Sequence, residues 1–543
     1  MKKVISAFLS LVLVFSLLCP AITVNAVADD IPQRGAYPVI YLCGNSAPIF
    51  DENGVQVYDF SPESDTIVEM VKNILFPHFF KGLITGDFEK YYDVFEEEFA
   101  KLYDRCSLDE NGQPKYGTGI SASNKAGNLV TMNTDRQING TYGFGDYQLV
   151  YDWRLDPLGN ADLLDEYIDG VLATTGKEKL CLTADCLGSV LIMAYLGKYG
   201  PEKLHAIGFG APVAFGCELV NDTFSGKLEL NPDAVERFCN DDFIEGVLPE
   251  GFETVLTMIQ LTVELAKETG ALERVSKAFM DKLYNRLYKE LVPRVALASY
   301  GSWPSYWAMV SATDYAETKK FTFGEPGSER YEKYKNLIAQ LDSYDEVVRQ
   351  RIPDLIQNAR DNGVNVAIVT KYGFQAPPIF KSYDLQNDIW VSLKFSSIGA
   401  TTAKVGETLS DEYIADRTRA GFGKYISPDK IIDASTCRFR DVTWFIKNAI
   451  HDDPCGQDSE IMMAVCSSEE QLTVDDMEKF PQFIVFDRVT HQTAPMTEEN
   501  CHTESWYKED EKEPNFFEKI VNFFKLVNQW WKTLFAVIDQ FTD

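Results

Sequence analysis

The chain has 543 residues, 45% of them hydrophobic and 24% charged, with 82 acidic against 51 basic side chains and a formal charge of −31. These proportions belong to a globular protein and exclude a collagen, a coiled coil or a chain disordered over most of its length. So large an acidic excess also excludes non-specific nucleic-acid binding and a polybasic membrane contact.

Lys2 and Lys3 precede an apolar run from Val4 to Leu18, and small residues follow at Val24-Asn25-Ala26. That order is a secretory signal peptide, residues 1–26, cleaved after Ala26 and implying a secreted protein. The run is short and interrupted by Pro20, which disfavours a membrane anchor. Of the 11 cysteines only Cys19 lies within the signal peptide. In an exported chain the ordinary expectation for the others is disulfides. Their spacings contain neither CxxC nor a zinc pattern, so no metal and no cofactor is expected.

From Tyr37 to Cys43 (YPVIYLC) an apolar strand runs into a loop at Gly44-Asn45-Ser46. Ser61 to Arg105 is mostly helical by its spacing, and Tyr147 to Trp153 reads as a strand. Next come a helix over Asn160 to Thr175, a strand over Leu180 to Thr183 and a sharp turn over Ala184 to Ser189. A helix over Val190 to Tyr199 and a strand over His205 to Phe209 follow. Such alternation predicts an α/β protein with a mainly parallel sheet. Residues 27–217 form the first part of this core.

Over 218–362 the strand signal fades, and long helical patterns cover Val255 to Leu291 and Ser328 to Ala359, as in a helical cap insertion. Strands resume at Val364 to Thr370, Ile389 to Phe395 and Val442 to Ile446, in a second core part over 363–480. Residues 481–543 form a C-terminal extension ending in an aromatic, amphipathic helix from Asn515 to Asp543. That face either packs on the body or contacts a membrane surface or a second copy. Its few lysines disfavour a purely electrostatic membrane mode.

The chemistry concentrates between Lys179 and Gly200. A strand, a tight turn and a helix make the shape of a nucleophile elbow, normally G-x-S-x-G, with Cys186 at its tip. Backbone N–H groups and the helix dipole stabilise an anion there, which suits a thiolate. The N–H of Leu187 is one oxyanion donor, and Gly44, Asn45 or Ser46 supplies the second. A buried structural cysteine on a strand–helix turn is the bland alternative.

Tyr151-Asp152-Trp153-Arg154 lies before this elbow and Gly208-Phe209-Gly210-Ala211-Pro212 after it. With Leu42-Cys43-Gly44-Asn45, they resemble the lecithin:cholesterol acyltransferase family, which includes phospholipases and diacylglycerol acyltransferases. The resemblance covers 37–217 well and 364–465 loosely. It implies an α/β-hydrolase with a helical cap acting on a lipid or other acyl ester. It also has departures. The family's elbow serine is Cys186, its preceding histidine is Asp185, and the second glycine after the elbow is Ser189. The family's acid loop corresponds to Ser397 to Ala403, which holds no carboxylate; Glu407 and Asp411 are the nearest downstream acids.

Five histidines are available. His78 precedes the elbow, the wrong order for this fold, and His205 reads as a surface loop residue. His451, between the strand Val442 to Ile446 and a helix over Ile461 to Val465, stands where the fold places its base; His491 and His502 are runners-up. Because a thiol needs less help from a base than a hydroxyl, a Cys186–His451 pair can act without a third member. Two readings stay open: a secreted Cys–His acyl-transfer enzyme, either hydrolase or acyltransferase, and a catalytically degenerate α/β-hydrolase used as an extracellular binding protein.

Overall fold

The computed structural model describes residues 36–44, 48–57, 87–120, 130–131, 146–239, 253–278, 289–451, 456–488, 490 and 492–501, with isolated positions between them. The signal peptide, Asn45, Ser46, His491, His502 and all of the C-terminal helix but Lys532 lie outside the described residues.

Among the described residues the strands are β1 (Val39–Leu42), β2 (Val130–Thr131), β3 (Tyr147–Leu149), β4 (Leu180–Asp185), β5 (Leu204–Gly210), β6 (Asn365–Tyr372), β7 (Thr401–Thr402), β8 (Ile432–Asp433), β9 (Thr443–Lys447), β10 (Phe483–Asp487) and β11 (Gln492–Pro495). Nine of them form one sheet in the order β11-β10-β9-β6-β5-β4-β1-β3-β2, while β7 and β8 pair separately. All pairings from β3 to β10 are parallel, and β2 and β11 close the two edges antiparallel. A parallel sheet covered on both faces needs strands apolar on both sides. β1 (VIYL) and β5 (LHAIGFG) are buried at every position.

Helices cover the sheet. The helices α1 (Pro157–Thr175), α2 (Gly188–Tyr199) and α3 (Ile352–Asp361) pack in a row, α1 against α2 and α2 against α3. The helix α4 (Gly456–Ser467) packs on β5 and β6. It lies so close that a Cβ at Gly208 would come 2.8 Å from Met462 Cγ. Asp156 caps α1 through Leu158 N–H, and Gly176, at φ 65°, ends it in the left-handed conformation. Between β5 and β6 every regular element is a helix among the described residues.

Four expectations are corrected. The segment Ile389 to Phe395 is no strand; it is a turn leading into one helical turn, Leu393–Ser396. Ile389, Val391 and Leu393 are buried all the same. The stretch Val255 to Leu291 is interrupted at Gly270, whose φ is 61°, between the helices Glu253–Glu268 and Ala271–Ala278, and helix resumes in Lys289–Ala298 after mostly undescribed residues. His205 is not on the surface. β5 starts one residue earlier than expected, and the ring is buried, stacked on Tyr37 at 3.9 Å and hydrogen-bonded to the Ser468 carbonyl. The sheet also extends past residue 480, because the short apolar run Phe483–Asp487 pairs with β9.

Candidate active site

The elbow is built by three close approaches. Cys186 follows β4 with φ 51°, a left-handed conformation uncommon outside glycine. Such strain persists only where the surroundings over-determine it, and here they do. The Cys186 N–H donates to the Gly210 carbonyl at 3.1 Å. The Cys186 carbonyl accepts the Ser189 N–H at 3.0 Å and the Ser189 hydroxyl at 2.5 Å. Ser189 Oγ in turn accepts from Val213 and Ala214 N–H at 3.2 and 3.1 Å. Ser189 thus ties the elbow to the turn after β5. Behind it, a Cβ at Gly188 would stand 2.2 Å from the Leu42 carbonyl oxygen. Gly188→Ala is expected to destabilise the fold by about 1–3 kcal/mol, the usual range for overpacking, read as a lower urea midpoint.

The loop after β1 passes directly over the thiol. A Cβ at Gly44 would lie 3.1 Å from Cys186 Cβ and 3.6 Å from its Sγ. The Tyr151 hydroxyl donates to the Cys43 carbonyl at 3.1 Å and so anchors this loop from below. The Leu187 N–H opens the turn into α2 and has no protein acceptor among the described residues. Asp185 is engaged elsewhere: Tyr41 donates to its Oδ2 at 3.0 Å, and its Oδ1 occupies the space a Gly210 Cβ would fill.

His451 enters from the loop after β9. Its Nδ1 is 2.8 Å from Asp388 Oδ2, and its backbone N–H donates to the Asp388 carbonyl at 2.9 Å. Buried Lys371 donates to the His451 carbonyl at 3.0 Å. Asp388 is itself fixed in an Asx turn, its Oδ1 accepting from Trp390 and Val391 N–H at 3.0 and 2.7 Å. Burial opposes protonation of the ring, but the Asp388 carboxylate and the Cys186 sulfur outweigh it, so the histidine's pKa stands well above its ordinary value. Nε2 is buried and has no hydrogen-bond partner among the described residues, while the nearby Cys186 sulfur favours the protonated ring. Cys186 is a free thiol, so no bridge to Cys43 blocks it.

The acid beside His451 is therefore Asp388, which sequence reasoning missed. Asp411, at the start of the helix Asp411–Arg419, and Glu407 are both exposed. Of the donors expected for an oxyanion, Leu187 and Gly44 flank the thiol. Among the described residues no group of three or more His, Cys, Asp or Glu is arranged to hold a metal ion.

No protein-family profile and no curated protein matches the chain. Among solved structures, the crystal structure of the Tle4-Tli4 complex is similar over 63% of this chain and 75% of that one, at 11% identity and a TM-score of 0.22. A likeness at that level has no bearing on activity.

Proposed function

We propose that the chain is a secreted α/β-hydrolase-type enzyme of acyl transfer, with Cys186 as nucleophile, His451 as base and Asp388 as the acid that orients it. One observation carries this reading: a free thiol on a strained strand-to-helix turn has, within reach, a buried histidine whose far nitrogen is held by a buried carboxylate. That is nucleophile, base and orienter in sequence.

Asp388 holds the proton on Nδ1, which leaves Nε2 toward the sulfur. The sulfur attacks the carbonyl carbon of an acyl ester, and its proton resides on Nε2. The oxyanion forms beside the Leu187 N–H and the backbone near Gly44. As the intermediate collapses, His451 returns the proton to the leaving alkoxide and a thioester remains on Cys186. Water, or a second alcohol, then gives its proton to His451 and releases the acyl group. The helices between β5 and β6 would form the cap, and how well they exclude water would decide between hydrolase and acyltransferase. A missing acid, altered elbow flanks and an aromatic tail suggest a degenerate binding protein; Asp388 beside His451 answers the first of these.

The test is hydrolysis of p-nitrophenyl esters of graded acyl length by the purified secreted protein. Hydrolysis abolished by Cys186→Ala and by His451→Ala is expected. Turnover unchanged in Cys186→Ala, or absent across the series, would sink the proposal.

A further inference from the structure

The loop that carries Asp388 is held against its own conformation. Ile389, the next residue, is β-branched yet has φ 85°. A bulky residue in that region is an outlier that only outside contacts sustain. Before the turn, Phe374 pairs with Asn387 and the His451 N–H holds the Asp388 carbonyl; after Ile389, side-chain support comes from one dipeptide far away in sequence. Cys217 Sγ donates to the Trp390 carbonyl at 3.0 Å. Glu218 Oε2 accepts the Ser392 N–H at 2.9 Å, and its Oε1 accepts the Ser392 hydroxyl. Ser392 in turn caps the helical turn Leu393–Ser396.

Glu218 is an expensive residue for this task. It is 5% exposed, and among the described residues no lysine or arginine pairs with it. Burial pushes its carboxyl up to about 7, against the Ser392 hydrogen bonds. Burying an unpaired acid is costly, and core packing alone would be served by an apolar side chain. What the carboxyl supplies is two acceptors, both spent on the turn that ends the Asp388 loop.

We propose that Glu218, together with Cys217, is the positioning residue of the site. It clamps Ser392 and so fixes the turn 388–392 that directs Asp388 at His451 Nδ1. This rests on the reading of Asp388 as the orienting acid.

The test combines two readouts on Glu218→Ala and Glu218→Gln, each checked for folding by circular dichroism. The first is the downfield proton NMR signal of the His451 Nδ1–H bonded to Asp388, assigned by its loss in His451→Gln. The second is the rate of Cys186 alkylation by iodoacetamide across pH. Glu218→Ala should lose the signal and slow alkylation at least tenfold, towards the rate of His451→Gln. Glu218→Gln, which keeps an acceptor for Ser392, should retain most of both. A folded Glu218→Ala with signal and alkylation profile unchanged overturns the clamp. A signal lost in Glu218→Ala, while alkylation never depends on His451, supports the clamp but counts against the nucleophile. Should Glu218→Ala fail to fold, Ser392→Ala removes only the hydroxyl donor, and the same two readouts decide: weakened supports, unchanged overturns.

Discussion

Arg154→Ala is expected to destabilise the protein by about 3–5 kcal/mol, the cost of leaving a buried charge without its partner. The Arg154 side chain is fully buried and grips Asp152 with two parallel bonds, Nε to Oδ1 at 2.9 Å and Nη2 to Oδ2 at 2.7 Å. Its remaining donors reach the Cys106 carbonyl at 2.6 Å, the Thr118 hydroxyl at 3.2 Å and the Thr118 carbonyl at 3.1 Å. One guanidinium thus ties the segment 104–120 to the sheet. Lysine offers a single point charge in place of the planar fork, so Arg154→Lys should recover little. The Asp152→Leu, Arg154→Met double variant should lose less than Arg154→Ala alone, because it leaves no uncompensated charge. Urea unfolding of the three variants measures this. The loss should also reach the site, since neighbouring Tyr151 anchors the Cys43–Gly44 loop. Arg154→Ala with a wild-type midpoint would show that the charge pair is not the joint it is taken to be.

Asp388→Asn is expected to lower ester turnover by roughly 10²–10³-fold with little loss of fold. The asparagine keeps an oxygen for the Trp390 and Val391 N–H groups, so the Asx turn survives. It presents an amide N–H to Nδ1, which favours the tautomer protonated on Nε2. That nitrogen can then no longer take the thiol proton. For a serine nucleophile the same exchange costs about 10⁴-fold, and a thiol depends less on its base. Steady-state kinetics with thermal melting as the folding control give the answer. A fully active Asp388→Asn would reduce Asp388 to a structural residue.

Much of the fold was legible because parallel strands buried on both faces leave unbroken apolar runs between helical spacings. β1, β4, β5, β6 and β9 were readable for that reason, and the elbow followed from their order. Asp388 was hidden by the same rule. The alternation Ile389, Val391, Leu393 and Phe395 imitates a strand, and an acid at the head of a strand does not read as a site residue. The available signal was local: Asn387-Asp388 followed by residues whose N–H groups the carboxylate can accept, in the first long loop after β6. β10 was missed because an apolar run of four after Pro481 is too short to stand out. Cys217 and Glu218 carried no signal at all, since their role lies in contacts more than 170 positions away, with |i−j| of 173 and 174.

The most direct measurement is to mix the protein with a p-nitrophenyl ester, quench in acid within the first turnovers, and read intact and peptide masses. The account predicts one acyl group on Cys186, released by neutral hydroxylamine as a thioester is. It should be absent in Cys186→Ala, and in Asp388→Asn it should accumulate more slowly. An acyl group on any other residue, or turnover with Cys186 unmodified, would contradict it.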